Sequence, residues 1–169
     1  MVERSKKTPL YTPEERRRRD ASPWTLVQGM LAPVQFLIFL VSLALVLRFL
    51  ASGDGWEAAT ASVVLKTFAL YTIMVTGCVW EKQVFGVYLF APAFFWEDVF
   101  SMLVLALHTA YLVALVTDGL PPREQMALAL AAYGAYVVNA AQFLLKLRAA
   151  RRDEAERQAG SSARWALGQ

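Results

Sequence analysis

The chain has 169 residues, of which 57% are hydrophobic and 18% are charged, and its mean hydropathy is +0.38. These values are too apolar for an ordinary soluble domain, and residues 26–47 contain no charge at all, so the sequence predicts an integral membrane protein. One cysteine (Cys78), one histidine (His108) and no phosphate-loop motif exclude an intramolecular disulfide, a bis-histidine haem within one chain and nucleotide chemistry of that type.

Residues 1–24 form a polar segment that contains four consecutive arginines at positions 16–19. Thr12, Pro13 and Glu15 match a capped helix start, with a threonine N-cap, a proline at the first helical position and a glutamate three residues after the cap. The sequence therefore predicts a short surface helix on the cytoplasmic side. Because basic residues also flank the apolar segments, we expect them to contact anionic lipid head groups rather than nucleic acid.

Four apolar segments follow, and they predict an all-α integral membrane four-helix bundle in residues 25–147. The predicted spans are 25–50, 58–80, 97–117 and 123–147. Between the second and third spans, the aromatic segment 83–96 is too short to cross a bilayer and is interrupted by Gly86 and Pro92. We expect it to be interfacial or re-entrant. Residues 148–169 form a basic cytoplasmic tail that we expect to be partly disordered.

The distribution of charge predicts how the bundle is oriented. Four spans place both termini on one side of the membrane. Basic residues are concentrated at both termini and at Lys82, whereas the first interhelical loop carries Asp54 and Glu57. The positive-inside rule therefore predicts that both termini are cytoplasmic.

Polar side chains within the spans are candidates for function because they are costly in hydrocarbon. Gln35, Lys66, His108 and Asn139 come from the four successive spans. A polar layer inside the bundle would explain all four. In the alternative, Gln35 and Asn139 form interhelical hydrogen bonds and Lys66 extends to the far interface.

Of these four residues, His108 is the strongest candidate for a chemical role. It shares helical spacing with Glu97 and Ser101, so a carboxylate at the mouth and an imidazole deeper in would line one groove. An imidazole donates or accepts a proton near neutrality, and its neutral form binds metals. The purely structural alternative is a hydrogen bond to a neighbouring helix.

Glu97 and Asp98 point about 100° apart on a helix, so at most one of them faces the groove squarely and the other can cap the helix start. Glu81 and Lys82 end the preceding span, and an ion pair that fixes the loop is the alternative to catalysis by the carboxylates. The aromatic segment between them is either an interfacial belt or the wall of a slot for a large flat ligand. Its aromatic residues are Phe85, Tyr88, Phe90, Phe94, Phe95 and Trp96.

Five strings are specific enough for comparison with known families: LYTPEERR from Leu10, SPW from Ser22, WEK from Trp80, YLFAPAFFWED from Tyr88 and LHTAY from Leu107. Together they resemble the 3-vinyl bacteriochlorophyllide hydratase family of phototrophic bacteria, over roughly residues 8–151. The resemblance implies a hydro-lyase in the bacterial inner membrane. Such an enzyme adds water across the C3-vinyl group of chlorophyllide a or bacteriochlorophyllide and gives the 1-hydroxyethyl derivative on the route to bacteriochlorophyll.

Water addition to a conjugated vinyl group requires a proton donor and a group that positions or deprotonates water, but no redox centre. We expect Glu97 or Asp98 to donate the proton and His108 to orient or deprotonate the water. In the alternative, His108 is the axial ligand of the substrate's magnesium and the carboxylates do all the proton work. The magnesium belongs to the substrate, so the chain is expected to need no cofactor or metal of its own.

Further substrate contacts are expected around these groups. Lys66, or the basic cytoplasmic rim, would pair with the propionate carboxylate of the substrate. The remaining expected contacts are Glu81, Phe94, Phe95, Trp96, Tyr111 and Asn139.

Two other functions use the same residues. A non-enzymatic membrane protein that holds or delivers (bacterio)chlorophylls would use His108 as an axial ligand, and a small transporter would use Lys66 and the acidic residues as a coupling site. An enzyme releases a chemically changed pigment, whereas a carrier copurifies with an unchanged one. Expected partners are a second copy of the chain, which would help to enclose a tetrapyrrole, or other enzymes of the bacteriochlorophyll pathway.

Overall fold

The computed structural model describes residues 10–167, in which all regular secondary structure is α-helical. The five helices are α1 (Pro13–Ala21), α2 (Pro23–Ser52), α3 (Trp56–Phe85), α4 (Phe95–Val116) and α5 (Pro122–Leu167). Helices α2 to α5 each contain a stretch long and apolar enough to cross a membrane. The prediction of an all-α chain with four helices able to cross a membrane is thereby confirmed.

Helix α1 begins where the sequence predicts a capped start. The Thr12 side chain accepts a hydrogen bond from the Glu15 N–H at 3.2 Å, and the Glu15 carboxylate accepts one from the Thr12 N–H at 2.7 Å. Pro13 occupies the first turn, where a missing N–H costs nothing. The following helix also starts with a proline, directly after Ser22, so only a single cap residue separates α1 from α2.

Glycine sets the end of α3. Gly86 has a φ of +85°, a left-handed conformation that side chains disfavour, and its N–H closes the helix on the Lys82 carbonyl at 3.1 Å. The predicted aromatic segment 83–96 was too long, because its first three residues belong to α3 and its last two begin α4. The irregular connection is therefore residues 86–94, hereafter the mouth loop.

The four long helices form two hairpins, α2 with α3 and α4 with α5, and the helices are packed more extensively within each hairpin than between the hairpins. The seam between the hairpins holds the main core, which includes Phe39 and Val46 of α2, Val63 of α3, Val104 of α4 and Met126 of α5. Because lipid is as apolar as these side chains, hydrophobic burial alone does not hold the helices together. Close packing and interhelical hydrogen bonds stabilise the bundle.

Hydrogen bonds between α2 and α3 illustrate this contribution. Gln28 Nε2 donates to Thr76 Oγ1 at 2.7 Å, and Trp80 Nε1 donates to Thr25 Oγ1 at 2.9 Å. Each pair satisfies polar groups that would otherwise face hydrocarbon. These bonds fix the register of the two helices and thereby the position of the end of α3.

A second apolar cluster closes the bundle at the end that carries α1. We call it the aromatic cap, and it consists of Tyr11, Trp80, Phe85, Phe94 and Phe143. The Tyr11 ring stacks on Phe85 with centroids 5.8 Å apart, and the Phe94 ring stacks on Phe143 at the same separation. The segment before α1, the mouth loop and the α5 region around Phe143 thus lie at one end of the bundle.

Helix α5 continues beyond the predicted end of the fourth span at residue 147 and reaches Leu167. The predicted division into segments 1–24, 25–147 and 148–169, with partial disorder in the last, stays a prediction. The cytoplasmic location of the termini and a re-entrant path for the mouth loop also stay predictions.

Candidate active site

Polar side chains that are buried or half-buried form two separate groups along the seam. The mouth group lies under the aromatic cap and consists of the buried Glu81, Glu97, Asp98 and Ser101 together with the half-buried Asn139 and Lys146. The middle group lies deeper and consists of Ser42, Lys66, His108, Tyr111, Tyr133 and Tyr136. Asp98 and His108 are ten residues apart on α4, which is about 15 Å along the helix axis.

The centre of the mouth group is a pair of carboxyl groups from two helices. Glu81 lies in the last turns of α3 and Asp98 in the first turn of α4, and their side chains are 5% and 6% exposed and interact directly. Glu81 Oε2 has no hydrogen-bond partner within residues 10–167. Because two negative charges in contact repel each other away from water, such a pair is most stable when it shares one proton.

Asp98 also holds the mouth loop. Its Oδ2 accepts a hydrogen bond at 2.8 Å from the N–H of Phe90, which has a φ of +60°, in the left-handed region that residues other than glycine rarely adopt. The carboxyl group of Glu81 interacts with the backbone of the neighbouring Ala91. Backbone strain of this kind persists where surrounding contacts enforce it, often at functional sites. The carboxyl pair therefore fixes the loop that covers it.

Glu97 has a different environment from its neighbour. Its Oε2 lies 2.6 Å from Lys146 Nζ of α5, and the same ammonium donates a hydrogen bond to the Ala93 carbonyl of the mouth loop. The sequence left open an ion pair that fixes this loop, and the structure supplies Lys146 as the partner of Glu97. Lys82 instead donates to a backbone carbonyl at the start of the loop. Glu97 is thus paired directly with a cation, whereas no cation forms an ion pair with Glu81 or Asp98 in the described residues.

Ser101 and Asn139 lie one turn deeper. Asn139 Nδ2 donates to Ser101 Oγ at 2.9 Å and joins α5 to α4, while Asn139 Oδ1 has no hydrogen-bond partner in the part of the chain that the structure describes. The pair leaves one free acceptor beneath the carboxyl groups. A polar atom of this kind is suited to holding a water molecule or a substrate donor.

The middle group is built around His108, which is fully buried. Its Nδ1 lies 2.8 Å from the Val104 carbonyl oxygen, and a carbonyl only accepts, so Nδ1 carries the hydrogen. In the neutral ring Nε2 then keeps its lone pair, and that atom has no hydrogen-bond partner among the described residues. Histidines that bind metals typically donate the other ring N–H to a carbonyl or carboxylate in this way.

Lys66 of α3 is also fully buried in the middle group, and its Nζ lies 3.8 Å from the centroid of the Tyr136 ring of α5. Tyr133, also on α5, is 5.8 Å from His108 between ring centroids and shares a 2.5 Å hydrogen bond with Ser42 of α2. All four long helices therefore contribute to this group.

Among the aromatic residues predicted to contact a substrate, the structure separates inner from outer positions. Phe94 is buried in the aromatic cap, and Tyr111 is buried in the middle group. Phe95 and Trp96 face outwards, and 66% of Trp96 is exposed. Their outward position at the start of α4 fits an interfacial aromatic belt better than a slot wall.

The structure brings Glu81, Glu97, Asp98 and Asn139 together, and it places Lys66, His108 and Tyr111 apart from them in the middle group. Ser42, Tyr133 and Lys146 were not among the candidate site residues predicted from the sequence. Only the helical spacing of Lys146 with Asn139, on one stripe of α5, pointed towards the site.

Comparison with known proteins identifies the family. The family model described as 2-vinyl bacteriochlorophyllide hydratase (BCHF) matches residues 11–149. A protein of Rhodobacter capsulatus named 2-vinyl bacteriochlorophyllide hydratase is 68% identical over 152 residues, which cover 90% of this chain and 88% of that protein. A protein of Cereibacter sphaeroides with the same name is 69% identical over 144 residues, which cover 85% of this chain and 89% of that protein. No solved structure is significantly similar to the chain. The family match spans both polar groups, and the chain belongs to the 2-vinyl bacteriochlorophyllide hydratase family.

Proposed function

We propose that this chain is a hydro-lyase that adds water across the vinyl group of a chlorophyllide or bacteriochlorophyllide and gives the 1-hydroxyethyl derivative in bacteriochlorophyll biosynthesis. The names of the two relatives, each about two-thirds identical in sequence, support the reaction. The vinyl group numbered 2 in those names is the C3-vinyl group in the systematic numbering of the macrocycle. The observation that carries the mechanism is the buried Glu81–Asp98 carboxyl pair.

The pair can supply both halves of the reaction. Its shared proton goes to the terminal vinyl carbon, and the cation that forms at the inner carbon is delocalised into the macrocycle. The oxygen of a water molecule then bonds to the inner carbon, and the carboxylate takes up the proton that the water loses. The net change is the addition of one water, the pair is regenerated, and nothing is oxidised or reduced.

The separation of the two polar groups supports carboxylates as the only proton-transfer groups. A general acid and a general base must each lie within hydrogen-bond reach of the atom they serve. Asp98 and His108 are separated by about 15 Å of helix, which is too far for both to act on the two carbons of one vinyl group. We therefore favour His108 as the axial ligand of the substrate's magnesium, a role that suits its free Nε2 lone pair.

The remaining mouth residues position this pair. The Glu97–Lys146 ion pair anchors the mouth loop through Ala93. Phe94 excludes water from the carboxyl groups, as capture of a carbocation by the right water molecule requires. A flat macrocycle would enter along the seam between the hairpins, where aromatic faces can pack on it.

Basic residues at the α1 end of the bundle support a cytoplasmic location for the mouth group, and the family's pathway supports the bacterial inner membrane. The exposed Phe95 and Trp96 would then lie at the head-group level. Self-association, or contact with other enzymes of the pathway, remains an expectation.

The test is to incubate chlorophyllide with membranes that contain the full chain and to follow the pigment by mass spectrometry and absorption in ¹⁸O-labelled water. A product heavier by one labelled water, with the blue shift caused by losing vinyl conjugation, is expected. Asp98→Asn should lower the rate by about 10²–10⁴-fold, whereas Trp96→Leu, at an outward position, should not.

Unchanged pigment that copurifies with inserted protein would instead favour the pigment-carrier function. Near-normal turnover by both Asp98→Asn and Glu81→Gln would contradict the proposed roles of the carboxyl pair.

A further inference from the structure

The proposed chemistry leaves one buried amino group, that of Lys66, without a role. Lys66 is 0% exposed, and its Nζ has neither a hydrogen-bond partner nor an acidic partner within the described residues. The Tyr136 ring below it, 3.8 Å from Nζ to the centroid, provides partial compensation through its π face. A buried ammonium normally requires an anion as well, because leaving it unpaired away from water is costly.

The position of Lys66 on its helix makes this burial unusual. It lies ten residues after the start of α3 at Trp56, about 15 Å along the axis. Membrane lysines commonly extend towards the nearest interface, but Lys66 turns into the seam and contacts α5. The acidic residues at that end of the bundle, Asp54 and Glu57, are exposed. Glu81 lies fifteen residues along α3 in the other direction, or about 22 Å away.

A second buried atom points to a ligand at the same place. His108 Nε2 also lacks a hydrogen-bond partner in the described part of the chain, and His108 and Lys66 are close enough to interact electrostatically. Two unpartnered polar groups, one from α3 and one from α4, thus occupy the seam between the hairpins. The hairpins are packed less extensively against each other than the helices within them, so a flat molecule inserted along the seam would reach both groups.

We propose that Lys66 binds the propionate carboxylate of the substrate and makes the enzyme selective for free-acid pigments over their esters, an inference that rests on the proposed function. The relatives are named for a bacteriochlorophyllide, which is the free acid of the pigment. A carboxylate supplies the anion that Lys66 lacks, through a charge-assisted hydrogen bond. A propionate ester keeps the macrocycle and the vinyl group but carries no negative charge that Lys66 could bind.

The charges at the mouth favour the same orientation of the substrate. Within the mouth group, the carboxyl groups of Glu81, Glu97 and Asp98 lie with a single cation, Lys146, which is already paired with Glu97. A propionate placed there would meet like charge. With the propionate on Lys66 and the magnesium near His108, the vinyl end of the macrocycle points towards the Glu81–Asp98 pair.

The experiment compares the binding of chlorophyllide and its methyl ester to the full chain in lipid nanodiscs, followed by pigment absorption and quenching of protein fluorescence. The wild-type chain should bind the acid about 10–100-fold more tightly than the ester, the range expected for one charge-assisted hydrogen bond. Lys66→Met should bring the acid-to-ester ratio to about one by weakening the acid alone, and Lys66→Arg should retain part of it. The control is Lys82→Met, at an exposed lysine of the same helix, which should leave the ratio unchanged.

Equal binding of acid and ester by the wild-type chain would overturn the assignment without requiring any variant. An unchanged ratio in Lys66→Met would also overturn it. Normal ester binding by that variant shows that it is folded. Because the ratio is a binding measurement, it is independent of turnover. If the wild-type chain selects the acid but hydrates neither pigment, the proposed function fails and the Lys66 assignment stands.

Discussion

The sharpest prediction concerns Glu81 and Asp98, which we expect to act as one unit. Asp98→Asn keeps the shape of the side chain, and its amide oxygen can still accept the hydrogen bond from the Phe90 N–H. Glu81→Gln is equally conservative in volume. Each amide can donate or accept a hydrogen bond but cannot release or take up a proton at neutral pH. The substitutions therefore remove the proton transfer and keep the fold of the mouth loop.

The expected magnitude follows from general acid–base catalysis. A positioned acid or base contributes about 10²–10⁴ in rate, equivalent to about 2.7–5.4 kcal/mol of transition-state stabilisation. If Glu81 and Asp98 hold one shared proton, either substitution removes most of this contribution, and the double variant loses little more than each single one. If the two groups acted independently, the fold decreases in rate would instead multiply, to about 10⁴–10⁸ in the double variant.

The assay is the initial rate of hydrated pigment formation, measured by mass spectrometry on equal amounts of membrane-inserted protein. Glu57→Gln is the matched control, because it removes an exposed carboxylate at the other end of the bundle, and its rate should equal that of the wild-type chain. A multiplicative loss in the double variant, or a single variant that keeps more than about a tenth of the rate, would show that the pair does not act as one unit.

Three further predictions test the surroundings of the site. Lys146→Met leaves the buried Glu97 carboxylate without a cation and should destabilise the chain by about 3 kcal/mol. Adding Glu97→Gln should restore part of this lost stability, measured by thermal unfolding. A double variant as unstable as Lys146→Met alone would contradict the ion pair. Phe90→Gly should raise the unfolding temperature, because it relieves about 1 kcal/mol of left-handed strain, and a clear decrease would mean that ring contacts dominate. The topology can be tested with single cysteines that replace Asp54 or Arg148 in a chain without the native cysteine. An impermeant maleimide should label the two positions from opposite sides of the membrane, with position 148 on the cytoplasmic side. Labelling of both positions from the same side would contradict the topology.

The sequence determines the spans well because their signal is local. Apolar runs identify all four long helices, and the capping pattern at Thr12 identifies α1. The bounds of the mouth loop are less well predicted. Aromatic residues occur in both helices and loops, so the end of α3 depends on the conformation of Gly86, which the sequence shows only as one glycine among several.

The site is harder to predict because its contacts are between helices. Spacing within α4 correctly places Glu97, Ser101 and His108 on one buried face. It cannot show which side chains of α3 and α5 face them, since that depends on the relative register and rotation of the helices. The Glu97–Lys146 pair joins positions 49 residues apart. The inward direction of Lys66 likewise depends on packing against α5, whereas its own helix would equally allow it to extend towards the interface.

The division into two polar groups has a chemical consequence for the mouth. The Glu97–Lys146 ion pair is neutral, so in the proposed mechanism the Glu81–Asp98 pair, with one shared proton, would keep one negative charge beside the vinyl group. Proton transfer to the vinyl carbon leaves both carboxylates charged at the moment when a cation forms on the macrocycle, and fixed negative charge in a dry site stabilises that cation. A second cation in the mouth would cancel this effect. If both proposals hold, keeping Lys66 about 22 Å along α3 from Glu81 would allow the chain to bind an acidic substrate with one charge while stabilising a carbocation with another.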